Sequence, residues 1–245
     1  MNRGLVSRQD WERTYGTLAP GLPDEDHCVR RWIEERLPGG DGDCLEVGCY
    51  PGRLLACIGG LGYRLHGIDL IPQVETALPR WLADHGYRVG SFVQGDFFSF
   101  EPGRRYDVVA SFGFIEHFED WRAVVDRHID LVAPGGHLLL TVPNFVGLLQ
   151  RCFQATLNRE SYLRHNLQAM HPRLWAEHLE RRSFEILSCG YHGAVDYWVD
   201  EQRRSLPSRL LVHLLVRGCL PVLRAVLWRD SKLYSPMAGV IARRR

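Results

Sequence analysis

The run Cys44-Leu45-Glu46-Val47-Gly48-Cys49-Tyr50-Pro51-Gly52-Arg53-Leu54-Leu55 constrains this chain more than any other. Apolar residues suited to a buried strand lead into a glycine-punctuated turn, and Arg53-Leu54-Leu55-Ala56-Cys57-Ile58 resumes with helical character. The unit reads as strand, tight loop, helix. Its glycines let a ligand approach the backbone, and the free N–H groups of the new helix offer hydrogen bonds and a positive dipole end. A carboxylate or phosphate is expected there. Tyr63-Arg64-Leu65-His66-Gly67-Ile68-Asp69 is a second short strand. It ends in an acid about 20 residues beyond the first, the distance at which a βαβ unit delivers a carboxylate to a ribose. A nucleoside-containing ligand is therefore expected. A dinucleotide is disfavoured, because G-x-G-x-x-G needs a middle glycine where Tyr50 stands.

From Asp43 onward strand and helix patterns alternate, which argues for a parallel sheet with helices on both faces. Strands are expected near 44–48, 64–68, 88–94, 106–111, 135–142, 184–190 and 236–243. Ligands of such sheets bind at the carboxyl ends of the strands. The third strand ends in Gly95-Asp96-Phe97, an acid that can accept from an exocyclic amine beside a ring that can cover an adenine face. The fourth runs into Ser111-Phe112-Gly113-Phe114-Ile115-Glu116-His117, and Ala133-Pro134-Gly135-Gly136-His137 reads as a turn before the fifth.

These four ordered motifs, over about residues 43–144, resemble those of class I S-adenosylmethionine-dependent methyltransferases. Glu116-His117 is similar to a pair that recurs in small-molecule enzymes of the ubiquinone-biosynthesis type. Tyr50-Pro51 departs from the commonest form of the glycine loop. The resemblance implies a Rossmann-like, seven-stranded, mostly parallel sheet whose last strand is antiparallel and lies next to the sixth. It implies S-adenosyl-L-methionine as cofactor, leaving as S-adenosyl-L-homocysteine. The cofactor-binding residues would be Glu46, Gly48, Cys49, Tyr50, Gly52, Asp69, Leu70, Gly95, Asp96, Phe97, Ser111 and Phe112.

His117 is the expected catalytic group, because an imidazole with a pKa of about 6.5 can take a proton from a hydroxyl as a methyl is transferred. Glu116 could equally be the base, and the pair could instead cap or orient the loop. No metal ligands are expected. Tyr15, Asn144, Tyr162, His165 and His171 are the expected acceptor-binding residues.

The whole chain is expected to be one domain. Residues 1–40 would form leading helices and 41–144 the cofactor-binding core, with a lid insertion at 145–173 and an amphipathic helical insertion at 194–234. Ser7 should cap a first helix that carries Trp11 and Tyr15 on one face, either lining the site or packing as ordinary aromatics. Pro23-Asp24-Glu25-Asp26 should open a second helix running to about Leu37. Segment 206–229 combines leucines with a basic stripe of Arg209, His213, Arg217 and Arg224, and Gly218 and Pro221 should kink it. Three roles are open to it: a subdomain over the pocket, a dimer interface, or a contact with a membrane surface.

With 30 basic and 29 acidic residues, the chain has no global field for nucleic acid. Seven scattered cysteines without a metal-ligand spacing suit reduced thiols, and no secretory signal opens the sequence, so a cytoplasmic monomer or homodimer is expected. Base-directed methylation is disfavoured, because the fourth strand lacks the Pro-Pro-aromatic motif and no Pro-Cys nucleophile is present. Phe112 does not fit the metal-dependent catechol type. A small apolar or aromatic acceptor remains, a quinone precursor or specialised metabolite among them. A non-catalytic binder of the same cofactor, a membrane-associated lipid or quinone methyltransferase, and an enzyme of NAD or nucleotide sugars on the same βαβ unit are the alternatives.

Overall fold

A computed structural model describes residues 4–157, 159–196 and 218–245. Seven strands form one sheet in the order β3-β2-β1-β4-β5-β7-β6. They are β1 Asp43–Val47, β2 Arg64–Asp69, β3 Val89–Gln94, β4 Tyr106–Phe112, β5 Val132–Pro143, β6 Phe184–His192 and β7 Met237–Arg244. β1 pairs in parallel with both β2 and β4, and β2 and β4 continue in parallel to β3 and β5. β7 is antiparallel to both neighbours and lies between β5 and β6. The expected strands, and the antiparallel last strand beside the sixth, are all present.

Alternate residues of each strand explain the layers. Leu45, Val47 and Val109 face a core built with Trp121, Val124, Val125 and Trp175. Cys44, Val108 and Ala110 face the opposite core with Val29, Trp32, Ile33, Leu55 and Ile58. Strands buried on both faces need continuous apolar runs, which these sequences supply. Trp121 and Trp175 are almost fully buried, and truncating such a ring to alanine costs about 3–5 kcal/mol. The chain order reverses between β1 and β4, so a crevice opens at their carboxyl ends.

The helices are α1 Arg8–Tyr15, α2 Cys28–Arg36, α3 Arg53–Gly60, α4 Ala77–Asp84, α5 Trp121–Leu131, α6 Leu148–Leu157, α7 Arg159–Leu163, α8 Pro172–Glu180 and α9 Leu220–Val226. The Ser7 side chain caps α1 by accepting from the Asp10 N–H, as expected. α2 is a correction. It starts at Cys28 after His27, and no acid lies in its first turn, because Asp24 accepts the His27 N–H in a turn ahead of the helix. The expected turn at 133–137 is a second correction: β5 already begins at Val132 and carries Pro134-Gly135-Gly136 as a bulge. Register jumps there from Tyr106↔Val132 to Val108↔His137, and Gly135 supplies the positive φ of 76° that the bulge requires.

The segment after β5 and the segments flanking α9 meet. Leu149 and Phe153 of α6 pack with Val195, Leu220, Leu223, Leu227 and Tyr234 into a small third core. Pro221 stands in the first turn of α9, where its missing N–H costs nothing, directly after the π-helical residues 218–219; the segment before 218, on which the expected kink depends, lies outside the described residues. Arg209, His213, Arg217 and most of the 206–229 stripe lie outside the described residues. Among the described residues, no helix is long and apolar enough to cross a membrane.

Candidate active site

The loop after β1 is shaped by its glycines. Gly48 and Gly52 have φ of 70° and 82°, and a Cβ on Gly52 would stand 2.3 Å from Leu78 Cδ1. The Gly48 and Cys49 N–H groups donate to Ile68 O, which ties the loop to the end of β2. Asp69 completes the tie: its carboxylate accepts from Tyr50 N at 2.8 Å and from Ile71 N at 3.0 Å. The nearby Leu70 N–H and Trp11 indole favour its charged form. Burial outweighs those donors and raises its pKa above the usual carboxylate range.

Two cavities flank this loop. The larger, about 420 Å³, is lined by Gly48, Asp69, Leu70, Gly95, Asp96 and Phe97, closed by Phe98, Phe114, His117 and Phe118, and roofed by Gly4 to Trp11. The smaller, about 120 Å³, is lined by Glu46, Cys49, Tyr50, Gly52 and Phe112, with Tyr15 and Gly113. Gly48 and Trp11 line both, so the two spaces are ends of one crevice divided by the Trp11 ring. At the larger end Asp96 and Phe97 offer an acceptor and a ring, and Asp69 lines the same space with its carboxylate held against the glycine loop. At the smaller end, Glu46 is buried and its Oε2 has no partner. Burial, reinforced by the charge of Asp69 and only partly offset by the nearby Leu55 N–H, raises its pKa well above normal. An amino-acid ammonium group would satisfy that orphaned oxygen. The crevice therefore suits a ligand with an adenosine at one end and an amino acid at the other.

A family model described as a methyltransferase domain matches residues 24–189. The chain belongs to the methyltransferase-domain family. It is a class I, S-adenosylmethionine-dependent member. A ubiquinone biosynthesis O-methyltransferase of Thiobacillus denitrificans is 31% identical over 116 residues, covering 46% of this chain and 50% of that one. The Xylella fastidiosa protein of the same description is 29% identical over 115 residues, 46% of each chain. The chain thus spans about half the length of the curated relatives it matches. A candidate methyltransferase of Bacillus halodurans shares the fold with a TM-score of 0.59 at 17% identity, covering 88% of this chain and 96% of that one. So does magnesium protoporphyrin IX methyltransferase of Synechocystis with bound S-adenosylhomocysteine, at 0.51 and 14%, covering 89% and 80%.

Eleven of the twelve expected cofactor residues line the crevice. Ser111 does not: it is buried beneath the strand end, and its hydroxyl has no partner among the described residues. Of the expected acceptor residues, Tyr15 lines the smaller cavity. His165 lies 4.6 Å, ring to ring, from His117, and Tyr162 stands 6.3 Å from Phe145, whose ring is 4.9 Å from His165. Asn144 is a correction. It is fully buried, donates to Lys232 O and Ser235 O and accepts from Gly147 N, so it fastens the end of β5 to the C-terminal segment. His171 precedes α8 and lines neither cavity.

Glu116 and His117 sit in a single 3₁₀ turn, Ile115–His117, beyond β4. Both are buried, with His117 Nε2 and Glu116 Oε1 3.9 Å apart. Burial pushes Glu116 up to about 8 and, with the nearby His165, pushes His117 down to about 3. The imidazole is thus neutral at pH 7 and a weaker base than its ordinary value implies, a correction to the sequence expectation. Burial also raises the Tyr15 phenol to about 12, helped by the charges of Glu116 and Asp69.

Sequence reasoning missed the roof. Leu5 N donates to His117 O at 2.8 Å and Gly4 bridges Phe118, which lays the N-terminal segment across the Ile115–His117 turn. No local pattern in residues 4–8 signals this contact. Phe98, Phe114 and Phe118 were legible in kind, as aromatics that directly follow the motifs at two strand ends.

Proposed function

We propose that the protein transfers a methyl group from S-adenosylmethionine to the hydroxyl of a small apolar or aromatic acceptor. The observation that carries this reading is the aromatic chamber at the crevice junction. Phe114 and Phe118, 5.0 Å apart, and Trp11, 5.1 Å from His117, enclose a turn that bears two buried ionisable groups. Apolar walls select a ring-bearing or aliphatic molecule, and few polar groups fix its orientation. The partial likeness to ubiquinone O-methyltransferases supports the same acceptor class.

Transfer would be an in-line displacement. The acceptor oxygen attacks the methyl carbon, the C–O bond forms as the C–S bond breaks, and S-adenosylhomocysteine departs. Positioning in the closed crevice supplies much of the acceleration. Neutral His117 accepts a hydrogen bond from the acceptor hydroxyl and orients it. A sulfonium bound beside this turn would favour ionisation of both the hydroxyl and Glu116, whose carboxylate could then take the departing proton.

Replacing His117 with alanine tests the assignment. Turnover on an acceptor identified by screening phenols and quinols should fall roughly 10²–10⁴-fold, with S-adenosylhomocysteine affinity unchanged. Undiminished turnover would remove His117 from the mechanism.

A further inference from the structure

We propose that Glu116, His117 and His165 form a binding site for a divalent first-row transition-metal cation. One ligand atom from each of the three lies within 4.8 Å of the others. The set of two imidazoles and one carboxylate is the donor combination of catalytic zinc sites, which keep a fourth position open.

The local geometry is that of a site with its centre left to fill. Glu116 is 1% exposed and its Oε2 has no hydrogen-bond partner, and the buried His117 Nδ1 has none either. At 3.9 Å, the carboxylate and imidazole of these two residues are too far apart to bond each other. Leaving such groups buried and unpaired is costly, and a cation between them would satisfy both. Ligands held at about 2.1 Å around a tetrahedral ion stand roughly 3.4 Å apart, so loading draws the three atoms inward by on the order of 1 Å. The Arg164 backbone carbonyl accepts from the His117 ring, the kind of contact that fixes the tautomer of a ligating imidazole. The nearby Arg164 side chain is turned to Asp10, 3.7 Å away.

The scaffold holds the two halves of the set together. His165 comes from the insertion after β5, and the next residue, Asn166, staples that insertion to the catalytic turn. Its N–H donates to Glu116 O at 2.7 Å, and its side chain donates to Phe118 O at 2.9 Å and Glu119 O at 3.0 Å. The site also faces the reaction space. His117 lines the larger cavity, and Glu116 Oε1 lies 3.6 Å from where a Cβ on Gly113 would stand, beside the smaller one.

What the cation does rests on the proposed methyl transfer, whereas its binding does not. With the cation bound, His117 and Glu116 would serve as ligands in place of orienting and proton-accepting groups, and an acceptor hydroxyl entering the fourth position would lose its proton to water more readily, leaving a better nucleophile for the sulfonium methyl. Acceptors with an ionisable hydroxyl, and above all with two adjacent oxygens, are the class such a site would take.

The test is binding of Co²⁺ and Zn²⁺ to chelator-stripped full-length protein, without cofactor or acceptor. It is followed by calorimetry and, for Co²⁺, by visible absorption, in a Cys152→Ser/Cys189→Ser/Cys219→Ser background that removes the exposed thiols. The expected result is one equivalent bound, weakened at least ~100-fold in both Glu116→Gln and His165→Ala, with S-adenosylhomocysteine affinity retained. His165 is only half buried, so its variant carries the test should Glu116→Gln fold poorly. Absence of binding at millimolar metal, or equal binding in the His165→Ala variant, would overturn the proposal. Loss of methyl transfer with one equivalent of metal still bound would count against the acceptor reading alone and leave the site standing.

Discussion

Trp11 should compete with the cofactor for Asp69. A carboxylate offers about four acceptor positions; that of Asp69 accepts from the Tyr50 and Ile71 N–H groups, and the Leu70 N–H and the Trp11 indole lie close enough to favour its charged form. The three backbone donors are fixed by the loop and cannot yield to a ribose. Only the indole can leave, and its ring also divides the crevice that a continuous ligand must span. Trp11→Phe removes the donor while keeping an aromatic ring for α1 to pack with. In the free protein the carboxylate then loses a partner that the ribose hydroxyls restore. A hydrogen bond to a charged group contributes about 1.5–3 kcal/mol, and at the lower end the variant should bind S-adenosylhomocysteine about tenfold more tightly. Titration calorimetry of both proteins reads this directly. Equal or weaker binding by Trp11→Phe would refute the reasoning and make Trp11 a wall of the adenosine site rather than its competitor.

Gly52→Ala should cost about 1–3 kcal/mol in urea denaturation, because it places a Cβ in the left-handed region and against Leu78, and should weaken cofactor binding through the displaced loop. His128, fully buried in α5, is pushed down by burial from 6.5 to about 4. A depressed pKa contributes stability that is fully present above pH 6.5 and is lost as pH falls through 4, worth about 3 kcal/mol for this one group. His128→Gln should flatten that acid limb, and parallel pH curves for the two proteins would show the imidazole is not responsible.

The sheet was legible because its strands are buried on both faces and bounded by glycine, proline and acids, so apolar runs and their punctuation coincide. Asp69 and Asp96 were legible because a βαβ unit puts strand ends in one place. The exceptions have specific causes. Asp24 to Asp26 suit a first helical turn by charge, but Asp24 instead accepts the His27 N–H in a separate turn. Pro134-Gly135-Gly136 signals a change of direction, which a bulge inside a paired strand also needs. Asn144 follows a strand end as ligand-binding residues do, yet its partners Lys232 and Ser235 are about 90 residues away. His165 was picked as an acceptor residue, but its meeting with Glu116 depends on a long-range staple through Asn166 that no local pattern reveals.

The place of β7 bears on how the protein is made. It is the last of the seven strands to leave the ribosome, and it is paired on both sides by strands made earlier, Leu139↔Ile241 and Cys189↔Val240 among its contacts. Until residues 237–244 emerge, the nascent chain holds β5 and β6 as two open edges with unpaired backbone groups, a state inclined to pair with other chains. Its five-stranded parallel half can assemble during synthesis while β6 waits. Stalling or premature termination shortly before this strand should therefore yield aggregation in place of a shortened but working enzyme, and expression yield should respond to chaperone supply.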